Sequence, residues 1–139
     1  SDRVLFDAGE ASLMPEGRKV LSAVAPTLRS LENQLTVEGH TDNVPAGGLY
    51  RSNWELSTAR ATTVLQFLLS QHVAGSRLSA AGYADQRPLA TNDTTSGRAR
   101  NRRVAVVVHS TDPSPSVAPS VSSTSTPSTQ SASPSGGSR

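Results

Sequence analysis

The composition of the chain changes abruptly near Ser110, and that break decides how much of it can build a core. From Thr111 to Arg139 nearly every residue is Ser, Thr, Pro, Ala or Gly. Val117 and Val121 are the only large apolar side chains there, and Asp112 and Arg139 the only charges. So little apolar surface cannot offset the entropy lost on ordering a chain, roughly 1–2 kcal/mol per residue for the backbone alone. Residues 111–139 are therefore expected to form a disordered tail, extended locally by Pro113, Pro115, Pro119, Pro127 and Pro134. Folding is left to residues 1–110, a length at which a single hydrophobic core is feasible.

Within that part, apolar patterns of two different periods alternate. Val4 to Phe6 reads as a short strand. Pro15 suits a first helical position, where its missing N–H would have no partner anyway. Val20, Leu21, Val24, Leu28 and Leu31 then recur at helical spacing. Pro26 falls inside this stripe and should bend the helix or shift its start. Leu35-Thr36-Val37-Glu38 alternates apolar and polar, as a half-buried strand does, and ends at Gly39. Ser52-Asn53-Trp54-Glu55 is a capping box that predicts a second helix. Ser52 accepts from the N–H of Glu55, and Glu55 reaches back. Leu56, Ala59, Val64, Phe67 and Leu68 give that helix its apolar face. Leu78 to Tyr83 is a weaker strand interrupted by Gly82, and Thr94 to Arg102 a short helix. Val104 to Val108, with four valines, is the clearest strand and reads as buried. Strands alternating with helices predict an α/β sandwich, a sheet covered by helices on one face.

Several function classes fall away. The sequence opens at Ser1 and reads as a piece of a longer protein. It contains neither a signal-peptide pattern nor a run of about 18 apolar residues. With no cysteine there are no disulfides, thiolate metal sites or cysteine nucleophiles. Thirteen basic against eleven acidic residues, net +2, is too balanced to argue for nucleic acid. The aromatics, Phe6, Tyr50, Trp54, Phe67 and Tyr83, offer little stacking surface. His40, His72 and His109 lack the spacing of a metal site. No serine has an evident His and Asp partner, so no catalysis is expected, and no cofactor. Arg98, Arg100, Arg102 and Arg103 form a basic cluster. It fits a structural role, with Arg103 facing a strand carboxylate such as Glu38, or a contact to phosphate or glycan. Trp54 fits either a sugar-stacking role or packing against the loop before it.

One constellation points to binding. Gly39-His40-Thr41-Asp42 sits where a strand ends. On the following helix Asn53 and Arg60 are seven residues apart, two turns, and share a face. If the strand end meets the helix start, Asp42, Asn53 and Arg60 surround one small pocket. A carboxylate there can hold an ammonium while a guanidinium takes a carboxylate through two parallel hydrogen bonds. Such a set fits the free end of an amino acid. It also fits an ordinary Asp–Arg ion pair, and residue types alone do not separate the two.

The string Gly39-His40-Thr41-Asp42, then Asn53-x-x-Leu56-Ser57-x-x-Arg60-Ala61, Gly82-Tyr83, Pro88, Asn92, Gly97-Arg98 and Asn101-Arg102-Arg103-Val104 resembles the OmpA-like domain over about residues 4 to 109. The resemblance implies a β-α-β-α-β-α-β fold and non-catalytic binding of the peptidoglycan stem peptide. It implies that Asp42 and Arg60 grip the amino and carboxyl groups of the diamino acid, with Thr41, Asn53 and Leu56 lining the same pocket. Gly-His-Thr-Asp-Asn-Val-Pro, Asn-Trp-Glu-Leu-Ser and the long segment from Asn43 to Ser52 are similar to the flagellar stator group typified by MotB. That branch implies a homodimer outside the cytoplasm, a MotA-type partner reached through an N-terminal membrane helix, and anchoring of the stator to the wall. The tail is not a usual element of the family. It leaves a wall anchor outside the motor, or an assembly domain with no small ligand, as the alternatives.

Overall fold

The computed structural model describes residues 4–110. Helix α1 spans Pro15–Ser30, strand β1 Leu35–His40, helix α2 Asn53–Ser70, strand β2 Leu78–Gly82, helix α3 Thr95–Asn101 and strand β3 Arg103–Val108. The strands form one sheet in the order β2-β1-β3, with β1 parallel to β2 and antiparallel to β3. The sheet is therefore mixed, as in the OmpA-like fold that the sequence resembles. The tail expected at 111–139 lies outside the described residues.

The core forms between the sheet and the helices. Leu35 and Val37 point from β1 into a cluster with Leu21 and Leu28 of α1 and Ala61, Val64 and Leu68 of α2, closed by Phe6 and Val73. On α1 the buried line is Gly17, Leu21, Ala25 and Leu28. Val20 and Val24, expected in the core, are 48% and 42% exposed beside β3. Two of the four inner positions are small, Gly17 and Ala25, because α1 lies close to its neighbours there. A Cβ on Gly17 would stand 2.9 Å from the Cα of Leu5. The helix runs through Pro26 to Ser30.

Two expectations need correction. Val4 to Phe6 is not a strand. Val4 lies in a 3-10 turn, and the Leu5 carbonyl accepts the Met14 N–H at 2.8 Å, so the segment folds back on the start of α1. Phe6 is fully buried all the same, and the described residues give three strands where four were expected. Strand β3 is half-buried, with Val108 46% exposed, because no strand pairs with its outer edge among the described residues.

Two glycines set the seat of α2. A Cβ on Gly39 would lie 2.1 Å from the Ser57 carbonyl oxygen, and one on Gly82 would lie 2.2 Å from the Thr58 hydroxyl and 2.6 Å from its backbone nitrogen. Helix backbone thus rests almost directly on sheet backbone at the C-terminal ends of β1 and β2. That contact brings the first turns of α2 beside the residues that leave β1.

Candidate binding site

Helix α2 begins as its capping signal predicts: the Ser52 hydroxyl accepts the Glu55 N–H at 3.2 Å. The reciprocal half is displaced by one residue. Glu55 accepts from the N–H of Arg51 at 3.3 Å and also pairs with its guanidinium. Asn53 is the first helical residue, and its side-chain amide donates to the carbonyls of Asp42, at 3.3 Å, and Val44, at 2.9 Å. It therefore pins the loop leaving β1 to the helix start.

The same loop is held from the sheet side. The Thr41 N–H donates to the Ala84 carbonyl at 2.8 Å, and the Ala84 N–H donates to the Ser57 hydroxyl at 3.1 Å. Ala84 is buried with φ +52°, a left-handed conformation that these two bonds help hold. The Thr41 hydroxyl donates to the Asp42 carbonyl at 2.8 Å. Asp42 accepts the Val44 N–H on one carboxylate oxygen, at 3.0 Å, and an Arg102 N–H on the other, at 2.7 Å. Its side chain is only 8% exposed.

These elements enclose a cavity of about 550 Å³. Thr41, Asp42, Asn53, Leu56 and Arg60, the five residues singled out from the sequence, all line it, as do Arg98 and Arg102. Arg60 is almost entirely buried. Its Nε donates to the Glu10 carbonyl at 2.8 Å, one terminal nitrogen donates to the Asp7 carbonyl at 3.0 Å, and its guanidinium lies over the Phe6 ring at 4.8 Å. Arg60 thus also fastens the segment before α1 as a wall of the cavity. Asp42 is paired with Arg102, a residue read from sequence only as part of a basic cluster. Sixty positions separate it from Asp42, so no local spacing signals the pair.

Helix α3 brings that arginine in. The Thr94 hydroxyl caps the Gly97 N–H. Asn101 is fully buried; it accepts from the N–H groups of Leu89 and Ala90 and donates to the Ala90 carbonyl and the Asn92 side chain. Those four bonds fix the loop before α3 against the helix.

The other polar cluster lies on the opposite face of the sheet. His40 is buried and stacked on Tyr83, with ring centroids 5.3 Å apart, and Arg87 covers Tyr83 at 3.9 Å. The His40 Nε2 donates to Glu38 at 3.2 Å, while Nδ1 is buried without a partner. Burial lowers the His40 pKa below 6.5; the Glu38 hydrogen bond opposes that shift and the charges of Arg103 and Arg87 add to it. Arg103, expected to face Glu38, donates to the carbonyls of Asn101 and Arg87 instead. Glu38 still favours its charge, against burial, which lowers the Arg103 pKa. His109 meets Thr36 at 2.8 Å at the far end of the sheet, and His72 lies in the turn after α2. Trp54 is half-exposed.

A model of the OmpA family matches residues 5–102. The chain belongs to the OmpA family. Among relatives, it is 36% identical over 107 residues to the peptidoglycan-binding protein ArfA of Mycobacterium tuberculosis, covering 76% of this chain and 32% of that one. It is 33% identical over 110 residues to motility protein B of Bacillus subtilis, covering 77% and 42%. The solved cell wall anchor of the T6SS from Pseudomonas aeruginosa is 43% identical and superimposes with a TM-score of 0.71 over 75% of this chain and 73% of that one. The OmpA-family chain spans only about a third to a half of the length of the curated relatives it matches. No helix among its described residues is long and apolar enough to cross a membrane.

Proposed function

We propose that this OmpA-family domain binds cell-wall peptidoglycan without catalysis and anchors the protein that carries it to the wall. The ligand is the diamino acid of the stem peptide. Asp42 takes its ammonium, Arg60 its carboxylate, and Thr41, Asn53 and Leu56 shape the cavity around them. The observation that carries this reading is that Asp42 and Arg60, two opposite charges, line one cavity together with Asn53, whose side chain fixes the loop. An anion and a fork-shaped cation lining one cavity suit a zwitterion. The binding groups are held by neighbours rather than paired for proton transfer. Asp42 keeps an arginine on one oxygen and a backbone N–H on the other, which suits an ion holder.

The relatives support the wall as the target, since one is a peptidoglycan-binding protein and another a cell wall anchor. They divide on what is anchored. Motility protein B favours a MotB-type stator, homodimeric, outside the cytoplasm, tethered to the membrane and working with a MotA-type partner through a region beyond this domain. The T6SS anchor, at 43% identity, favours an envelope anchor outside the motor. Wall binding is common to both. Co-sedimentation with purified insoluble peptidoglycan tests it: the folded domain is expected in the pellet, and a folded domain left wholly in the supernatant would overturn the proposal.

A further inference from the structure

We infer that Arg98 and Arg102 form a second anion subsite in this cavity, which reads a second free carboxylate on the same stem peptide and so discriminates against amidated wall peptides. The inference rests on the wall-binding reading above. It begins with charge. The ionisable side chains lining the cavity are Asp42 and Glu10 against Arg60, Arg98 and Arg102, an excess of one cation, three less two. A zwitterion held by Asp42 and Arg60 has no net charge, so the excess persists once that end group is bound.

The pairing of Asp42 sharpens the point. Asp42 and Arg102 meet at 2.7 Å. An ammonium arriving at Asp42 shares that carboxylate with Arg102, which then gains from a new anion nearby. Arg98 stands one helical turn before Arg102, and the Arg102 N–H donates to the Arg98 carbonyl at 3.1 Å. The i, i+4 spacing sets both side chains on one flank of α3. Arg98 is steadied by the Asn92 carbonyl at 2.8 Å and the Thr95 hydroxyl at 3.2 Å. Both partners are neutral, so they orient the guanidinium and leave its charge uncancelled. A guanidinium has five N–H donors, and these contacts use two of them.

A free carboxylate accepts from such a fork through charge-assisted bonds. A carboxamide carries no charge and turns N–H donors of its own toward donors. Amidation thus removes the attraction that the Arg98 flank supplies, while the amino-acid end on Asp42 and Arg60 is untouched.

Calorimetric titration with two soluble muropeptides tests this. Both keep the free amino and carboxyl end of the diamino acid; one has its remote carboxylate free, the other amidated. The wild-type domain is expected to bind the free form at least tenfold more tightly. Arg98→Gln should lower affinity for the free form to that of the amide and leave the amide unchanged, and Arg98→Lys should keep a reduced preference. Equal binding of both forms by wild type, or equal weakening of both by Arg98→Gln, overturns the second subsite and leaves wall binding standing. Failure of wild type to bind either form overturns wall binding along with it.

Discussion

Replacing Gly39 with alanine tests how the site is assembled. Gly39 sits in the middle strand, opposite Gly82 on one side and Val104 on the other. The added Cβ would lie 2.1 Å from the Ser57 carbonyl oxygen, 2.9 Å from its carbonyl carbon and 3.3 Å from its Cα. Non-bonded atoms rest near 3.5 Å or beyond, so α2 must retreat by about 1 Å. Overpacking typically costs about 1–3 kcal/mol. The obstacle here is helix backbone, which no rotamer change can move, so the upper end, about 3 kcal/mol, is expected. For a domain of this size that lowers Tm by roughly 10 °C or more. Urea denaturation followed by far-UV circular dichroism measures it, with Gly47→Ala as the control. Nothing lies within 4 Å of a Cβ on Gly47, so that change should stay within about 0.5 kcal/mol. The retreat of α2 also carries Asn53, Leu56 and Arg60 away from Asp42, so the folded fraction of Gly39→Ala should bind peptidoglycan poorly. Wild-type stability in Gly39→Ala, or equal damage from Gly47→Ala, would refute the backbone-on-backbone account.

Two further changes probe the scaffold around the cavity. Asn101→Ala removes four hydrogen bonds of a fully buried side chain and strands the N–H groups of Leu89 and Ala90; a loss of about 2–3 kcal/mol is expected in urea denaturation. The buried His40 predicts a pH dependence. Its folded pKa is below 6.5, so between that lower value and 6.5 the unfolded chain binds more protons than the folded one. Stability should therefore fall as pH drops through that window. Thermal melts should show the decline, and His40→Gln should flatten it.

How much of this was legible in the sequence depends on how local each signal is. Helix α2 announces itself through Ser52, whose cap lies three residues from the group it accepts, and Asn53 and Arg60 share a face by helical spacing alone. The alternation at Leu35 to Glu38 likewise marks β1. Other features depend on contacts between distant segments. Phe6 looks like a strand residue, yet Met14 takes the Leu5 carbonyl and Gly17 admits Leu5 against α1, which turns the segment away from the sheet. Ala25 and Gly17 displace Val20 and Val24 from the inner line because close packing favours small residues over more apolar ones. Arg102 reads as one of four arginines before a strand; only the placement of α3 beside the β1 loop makes it the partner of Asp42. The placement of Arg60 beside Asn53 on one cavity was legible, while its grip on the Asp7 and Glu10 carbonyls was not, since nothing in the spacing links α2 to that segment.

That double duty of Arg60 bears on the central claim, that Asp42 and Arg60 form the wall-binding pair. Removing the protein's half of a buried, hydrogen-bonded charge pair with the ligand, which each of the two residues would form separately, costs about 2–5 kcal/mol of affinity. Co-sedimentation of wild type, Asp42→Ala and Arg60→Ala with insoluble peptidoglycan, each checked for folding by circular dichroism, is the most direct measurement. Wild type should pellet while both variants, still folded, stay mostly in the supernatant. Folded variants that sediment like wild type would contradict the claim and place the wall contact elsewhere on the domain.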